Sequence, residues 1–232
     1  MSVKTYCKET AAFAGWLIQN VPSDIDEETM NNWMGDPEGT KKFLSGLKSK
    51  KMTLPLFSVV ATTNLGAIAG KPTKRCFAGS HWRYRDSDFD SWLPANQPNA
   101  DECVIATLAP ANDWTFAEVA ATILGIGAGT DVALLGKALI ENGYTMTLAQ
   151  AEEMVEKTER GEKTGMLTDG YGNFFFVKTR ARDRKNLVSV GHVYRDGRDW
   201  DAIVDSLGRG LRWDADRRLL VRNLKDTSKL GP

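Results

Sequence analysis

Apolar and polar positions divide the chain into a helical start, a mixed middle and a strand-rich end. Ala11–Val21 is a largely apolar run that stops at Pro22, and Asp24 with Glu27 three residues later fits a helix-capping box. These patterns predict a helical N-terminal region over residues 1–50.

After residue 50 the pattern changes to short β-branched and aromatic runs bounded by Gly, Pro and Asn, which is typical of strands. The long stretch 81–99 is aromatic, acidic and punctuated by Pro, and we expect an ordered loop there. The predicted strands are Leu56–Thr63, Cys103–Leu108, Asn173–Thr179, Leu187–Tyr194 and Arg218–Val221.

Three helices are predicted between these strands, each with a capping residue at its start. The first runs from Thr115 to Leu124 with Asp113 or Thr115 as its cap; the second starts at Thr130 or Asp131 and ends at Glu141; the third has Thr147 with Gln150 as a capping box and ends at Arg160. The glycine-rich stretch 125–131 lies between two helices, so it is interpreted as an end cap followed by a start cap and not as a phosphate cradle, which needs a preceding strand.

Near the end of the chain, apolar and polar residues alternate. Trp200, Ala202 and Val204 alternate with Asp199, Asp201, Ile203 and Asp205, and Trp213 and Ala215 alternate with Arg212, Asp214 and Asp216. In an extended backbone, alternate side chains face opposite sides. We therefore expect one core-facing side and one side that faces solvent or a partner.

The same region has an unusual composition. Between Asn186 and Leu224 there is no Lys, Glu, Gln or Met, although 38 of these residues occur elsewhere in the chain. The region nevertheless holds 7 of the 14 Arg and 6 of the 18 Asp. A bias in charge cannot explain the loss of Lys but not Arg, or of Glu but not Asp. Codons ending in a pyrimidine do explain it, because they cannot encode Lys, Glu, Gln, Met or Trp. The exceptions, Trp200 and Trp213, must then be fixed positions.

With these features the region, over roughly Val190–Asn223, resembles the variable region of target proteins of diversity-generating retroelements. In that family a reverse transcriptase randomises adenines in a repeat near the 3′ end of the gene, so that AAY codons become NNY codons. The altered residues lie on a C-type-lectin-like fold and form a ligand-binding face. The terminal RLLVRN also resembles the closing strand of such folds.

The resemblance implies a set of variable, ligand-contacting positions and a set of scaffold positions. The variable positions are Arg195, Asp196, Arg198, Asp199, Asp201, Ile203, Asp205, Ser206, Gly208, Arg209, Gly210, Leu211, Arg212, Asp214, Asp216 and Arg217. The scaffold positions are Trp200, Ala202, Val204, Leu207, Trp213, Ala215, Arg218 and Leu219. We call residues 195–217 the recognition segment. The expected fold is α+β: a helical region, 1–50, followed by a C-type-lectin-like domain, 51–232.

Overall charge and cysteine content narrow the classes of function. Lys plus Arg equals Asp plus Glu at 30 each, so no net field attracts nucleic acid or anionic lipid. The three cysteines and two histidines form no zinc or disulfide pattern. The sequence shows no signal-peptide layout or transmembrane run, which makes the cytoplasm the default expectation. We predict a non-catalytic protein without cofactor or metal, whose ligand is an unidentified protein or polar molecule.

Two alternatives remain open at this point. The chain could be a nucleic-acid-binding accessory protein that uses the C-terminal arginines together with Arg83, Arg85, Arg180, Arg182 and Arg184. It could also be an enzyme, such as a small hydrolase, with a pocket near Cys76, His81 and Asp86–Asp90. An EF-hand loop starting at Asp86 fails because Ser91 and Gln97 stand where Gly and Glu are needed, but another calcium loop is compatible with these acids.

Overall fold

The computed structural model describes residues 57–127, 129–180 and 187–224. The predicted N-terminal helical region, 1–50, lies outside these residues, as do Arg182 and Arg184. Within them the protein is mixed α+β, as the sequence predicts. Strands are β1 (Phe57–Leu65), β2 (Trp82–Arg85), β3 (Cys103–Pro110), β4 (Asn173–Lys178), β5 (Val188–Asp196), β6 (Asp199–Ser206) and β7 (Arg218–Arg222). Helices are α1 (Asp88–Trp92), α2 (Phe116–Leu124), α3 (Val132–Glu141) and α4 (Leu148–Glu159), with a 3-10 turn at Thr73–Arg75.

The strands form one sheet in the order β1-β3-β7-β4-β5-β6-β2. The last strand, β7, lies inside the sheet, antiparallel to β3 and parallel to β4. β5 and β6 form a hairpin in which Asp196 pairs with Asp199, which leaves a two-residue turn. Gly197 has a φ of 64° there, as a type II′ turn requires at its first central residue.

Both faces of the sheet are covered. On one face α2 and α3 pack on residues such as Phe174, Phe176 and Leu219. On the other, α4 and α1 pack on residues such as Phe175 and Trp200. Alternate residues of β4 belong to different clusters, since successive side chains of a strand point to opposite faces. A three-layer architecture follows, with the sheet in the middle.

The helix starts agree with the predicted caps. Thr115 and Glu118 form a complete capping box at α2, and Thr147 with Gln150 forms another at α4. At α3 the Asp131 side chain accepts hydrogen bonds from the backbone amides of Ala133 and Leu134. Gly125 ends α2 in the left-handed conformation, with a φ of 66°, so the glycine-rich stretch contains an end cap and then a start cap.

The stretch 81–99 differs from the prediction, because it contains β2 and α1 and is not a continuous loop. β2 has only four residues and pairs in parallel with β6, more than 100 positions later in the sequence. α1 is a single short turn of helix in which Phe89 is buried. The extended backbone inferred from alternation at Trp200, Ala202 and Val204 is strand β6. At Trp213 and Ala215 the same inference is wrong, because Trp213 forms only an isolated bridge with Trp114 and residues 215–216 form a turn.

Candidate ligand-binding surface

Most of the predicted variable positions lie at the surface. Five are partly exposed: Arg195, Asp199, Ile203, Ser206 and Arg217. Nine are exposed: Asp196, Arg198, Gly208, Arg209, Gly210, Leu211, Arg212, Asp214 and Asp216. They lie on the β5–β6 hairpin and on the connection from β6 to β7. Asp201 and Asp205 differ, since both are buried.

The scaffold positions of β6 are in the core. Trp200 and Ala202 are fully buried and Val204 nearly so, and all three belong to the cluster under α4. Leu207, where β6 ends, is fully buried in the opposite cluster. Buried side chains at the end of β6 therefore pack on both faces of the sheet, just before the exposed connection begins.

Trp213 holds the middle of that connection against the sheet. Its backbone exchanges two hydrogen bonds with Trp114, with N···O distances of 2.8 and 2.7 Å. Its partly buried indole packs on Phe174 at 4.8 Å and on Phe116 at 5.7 Å between ring centroids. An aromatic cluster of residues 114, 116, 174, 192 and 213 thus supports the connection.

Polar contacts hold the connection in place on either side of Trp213. Arg212 donates to Glu118 at 3.1 and 3.2 Å and to the carbonyl of Asp113 at 2.7 Å. Arg217 donates to Asp214 at 3.2 Å, and its guanidinium lies 5.0 Å from the ring centre of Tyr171. These contacts limit the conformations that the connection can adopt.

Asp201 is buried on β6 and forms hydrogen bonds with residues of β2 and β5. Arg83 of β2 donates to both of its carboxylate oxygens, and Arg83 also pairs with Asp196. The Tyr194 hydroxyl donates a further hydrogen bond. Burial opposes ionisation of Asp201, but the hydrogen bonds from Arg83 and Tyr194 outweigh it and lower the pKa of its carboxyl. The expectation that the polar side of β6 faces solvent is therefore wrong at Asp201.

The same expectation is wrong at Asp205, which is buried and paired with Arg209. Burial of a carboxylate is tolerated here because a guanidinium compensates its charge. Sequence alternation could not reveal either burial. Arg83, the partner of Asp201, lies 118 residues earlier in the chain. Arg209, the partner of Asp205, belongs to the connection from β6 to β7.

Glu159, at the end of α4, links a fixed residue to a predicted variable one. Its carboxylate accepts a hydrogen bond from the indole Nε1 of Trp200 at 2.9 Å and forms a salt bridge with Arg195 at 3.4 Å. Neither Glu159 nor Glu118 is identified by the sequence pattern as part of this surface. Their roles depend on partners that are 36 or more residues away along the chain.

His192 lies beneath the connection, stacked on Phe174 at 4.6 Å between ring centroids. Its Nδ1 is buried and has no hydrogen-bond partner. Burial, followed by the nearby charges of Arg217 and Arg209, lowers the pKa of His192 to about 4. The imidazole is therefore neutral at pH 7 and packs as an aromatic ring.

The alternative enzyme pocket does not have the features of a nucleophilic site. Cys76 is fully buried, and burial raises the pKa of its thiol to about 11, which opposes formation of the reactive thiolate. Asp90 is paired with Arg85, and Asp86 accepts a hydrogen bond from the backbone of Asp88. Among the described residues no group of three or more His, Cys, Asp or Glu side chains is arranged to hold a metal ion.

Three arginines of the nucleic-acid alternative, Arg83, Arg85 and Arg180, are already engaged within the protein. Arg83 pairs with Asp196 and Asp201, and Arg85 with Asp90. Arg180 donates to the carbonyls of Leu93 and Asp90. These contacts reduce the number of guanidinium groups available to phosphates.

No helix in the described part of the chain has both the length and the hydropathy that crossing a membrane requires. Comparison of the chain with protein-family models, with curated proteins and with solved structures finds no match in any of the three.

Proposed function

We propose that this protein is a non-catalytic ligand-binding protein with a C-type-lectin-like fold, and that a retroelement diversifies its recognition segment. The ligand is a protein or another polar molecule, contacted by the exposed residues of 195–217. The two tryptophans that pyrimidine-ended codons cannot encode serve as fixed anchors.

The observation that carries the proposal is the agreement between codon class and burial. Trp200 is one of two residues in the 186–224 region that a pyrimidine-ended codon cannot encode, and it is fully buried. The other, Trp213, packs into the aromatic cluster. Fourteen of the sixteen predicted variable positions are exposed or partly exposed. A mechanism that changes only some codons requires the variable positions to be exposed and the fixed positions to be buried. Exposed substitutions usually alter stability by less than about 0.5 kcal/mol.

The topology is compatible with presentation of the recognition segment at the protein surface. Both ends of the recognition segment are held in the sheet, by β5 at its start and by β7 immediately after it. β7 is an interior strand paired on both sides, consistent with the closing strand inferred from RLLVRN. A connection fixed at both ends and at Trp213 loses little conformational entropy on binding.

The burial of Asp201 and Asp205 refines the proposed contact set. In this copy Asp201 holds β2 through Arg83, and Asp205 positions Arg209. We assign ligand contact to the exposed positions of the hairpin and the connection. The two buried aspartates act indirectly, by fixing arginines that border the surface.

The experiment that tests the proposal is to read the nucleotide sequence of codons 186–224 and its downstream flank. We expect pyrimidine-ended codons at the sixteen positions and a nearby imperfect copy that carries adenines at those codons. A gene that uses purine-ended codons at these positions and has no such copy would refute diversification, though it would leave open a constant binding surface.

A further inference from the structure

A cavity lies away from the recognition segment, at the end of the sheet where β4 and β7 terminate. Its volume is about 440 Å³, in the range of sites for small molecules. It is bordered by the loop before β3, by the start of α4 and by the last residues of β4 and β7. The recognition segment contributes no residue to its lining.

Buried amide side chains hold the cavity walls in place. Gln97 accepts a hydrogen bond from the backbone of Leu148 at 3.1 Å and donates to Thr73 at 2.9 Å. Gln150 accepts from the backbone of Thr147 at 2.9 Å and donates to the sulfur of Cys103 at 3.1 Å. Because both amides make hydrogen bonds within the protein, they fix the shape of the cavity.

Two cationic side chains line the cavity without an acidic partner. Within the described part of the chain, neither Lys178 nor Arg222 forms a salt bridge. The Nε of Arg222 is buried without a hydrogen-bond partner, and one terminal nitrogen makes only a long contact, 3.5 Å, with the carbonyl of Gly143. A buried donor without a hydrogen-bond partner is destabilising, and more so when it is charged. The positive charge of Arg222 is not neutralised by a carboxylate of the described residues.

The remaining lining suits an organic molecule. Pro94, Pro98, Met146 and Val177 provide apolar surface, and Asn96 and Thr145 add polar groups. The carboxylate Asp101 also lines the cavity, so its two cations leave one net positive charge. We propose that this cavity binds a small organic anion, a carboxylate or a phosphate, attracted by the cationic residues Lys178 and Arg222 of its lining.

The test is an NMR titration of the ¹⁵N-labelled full chain with benzoate, inorganic phosphate and the neutral analogue benzyl alcohol. We expect benzoate or phosphate to shift the amides of Thr145, Met146 and Lys178 saturably, and benzyl alcohol to bind more weakly than benzoate. A response to benzoate alone identifies a carboxylate ligand, and a response to phosphate alone identifies a phosphate ligand.

Lys178→Gln provides the decisive variant, because Lys178 is exposed and its replacement leaves the core intact. Loss of one charge-assisted contact is expected to weaken anion binding roughly tenfold. Lys137→Gln, an exposed lysine on α3 outside the cavity, is the matched control and should bind as the parent does. The proposal is overturned if neither anion gives saturable shifts, if benzyl alcohol binds as tightly as the anion that responds, or if the Lys178→Gln and Lys137→Gln variants bind that anion equally well.

Discussion

At the residue scale, His192 links the stability of the recognition surface to pH. Its pKa is about 4 in the folded protein, against 6.5 for the free side chain. Between these values the unfolded chain binds a proton that the folded chain does not, so stability falls as the pH drops from about 6.5 to about 4. The shift corresponds to about 3 kcal/mol.

Urea unfolding of the parent and of His192→Phe across this pH range measures the effect. The parent should lose about 3 kcal/mol more than the variant between the two ends of the range. Two parallel pH profiles would show that His192 does not carry a buried, neutral imidazole.

Trp200 and Leu211 form a second test at the residue scale, since both are large apolar residues of the recognition segment in opposite environments. Trp200 is fully buried, whereas Leu211 is 46% exposed. Trp200→Ala should lower the free energy of unfolding by about 3–5 kcal/mol, because it leaves a large cavity. Leu211→Ala should change it by less than about 0.5 kcal/mol. Similar decreases in the free energy of unfolding for the two variants would contradict the role of Trp200 as a buried anchor.

At the scale of elements, Glu159 joins α4 to β6 and to the end of β5. Glu159→Ala leaves the indole Nε1 of Trp200 buried without a partner, which should cost about 1–3 kcal/mol. Glu159→Gln retains an acceptor oxygen and should cost less. Thermal unfolding of the two variants distinguishes the cases, and equal losses would show that the hydrogen bond to Trp200 contributes little.

The elements also show which features a sequence can predict. The caps Thr115 and Thr147 bind backbone amides three residues away, so the sequence signal is local and the structure confirms both caps. Strand β2 is not predicted by the sequence, because four residues carry little periodicity and their pairing depends on β6. The interior position of β7 likewise follows from contacts with β3 and β4 that no local pattern encodes.

At the scale of the whole molecule, the exposure of most of residues 195–217 is predictable where it depends on codon class and alternation, and their role in binding stays a prediction. The exposed connection and the buried Trp200 follow from those two signals. The burial of Asp201 does not, because it needs Arg83 from another strand. The cavity bordered by α4, β4 and β7 cannot be predicted from local sequence either, since it assembles residues from four separate parts of the chain.

The central claim is that residues 195–217 form an interchangeable recognition surface on a fixed frame, and sibling copies of the gene test it most directly. Aligning such copies should show substitutions concentrated at the exposed positions of the segment, with Trp200 and Trp213 retained in every copy. Substitutions spread evenly along the chain, or replacement of either tryptophan as often as its neighbours, would contradict the claim.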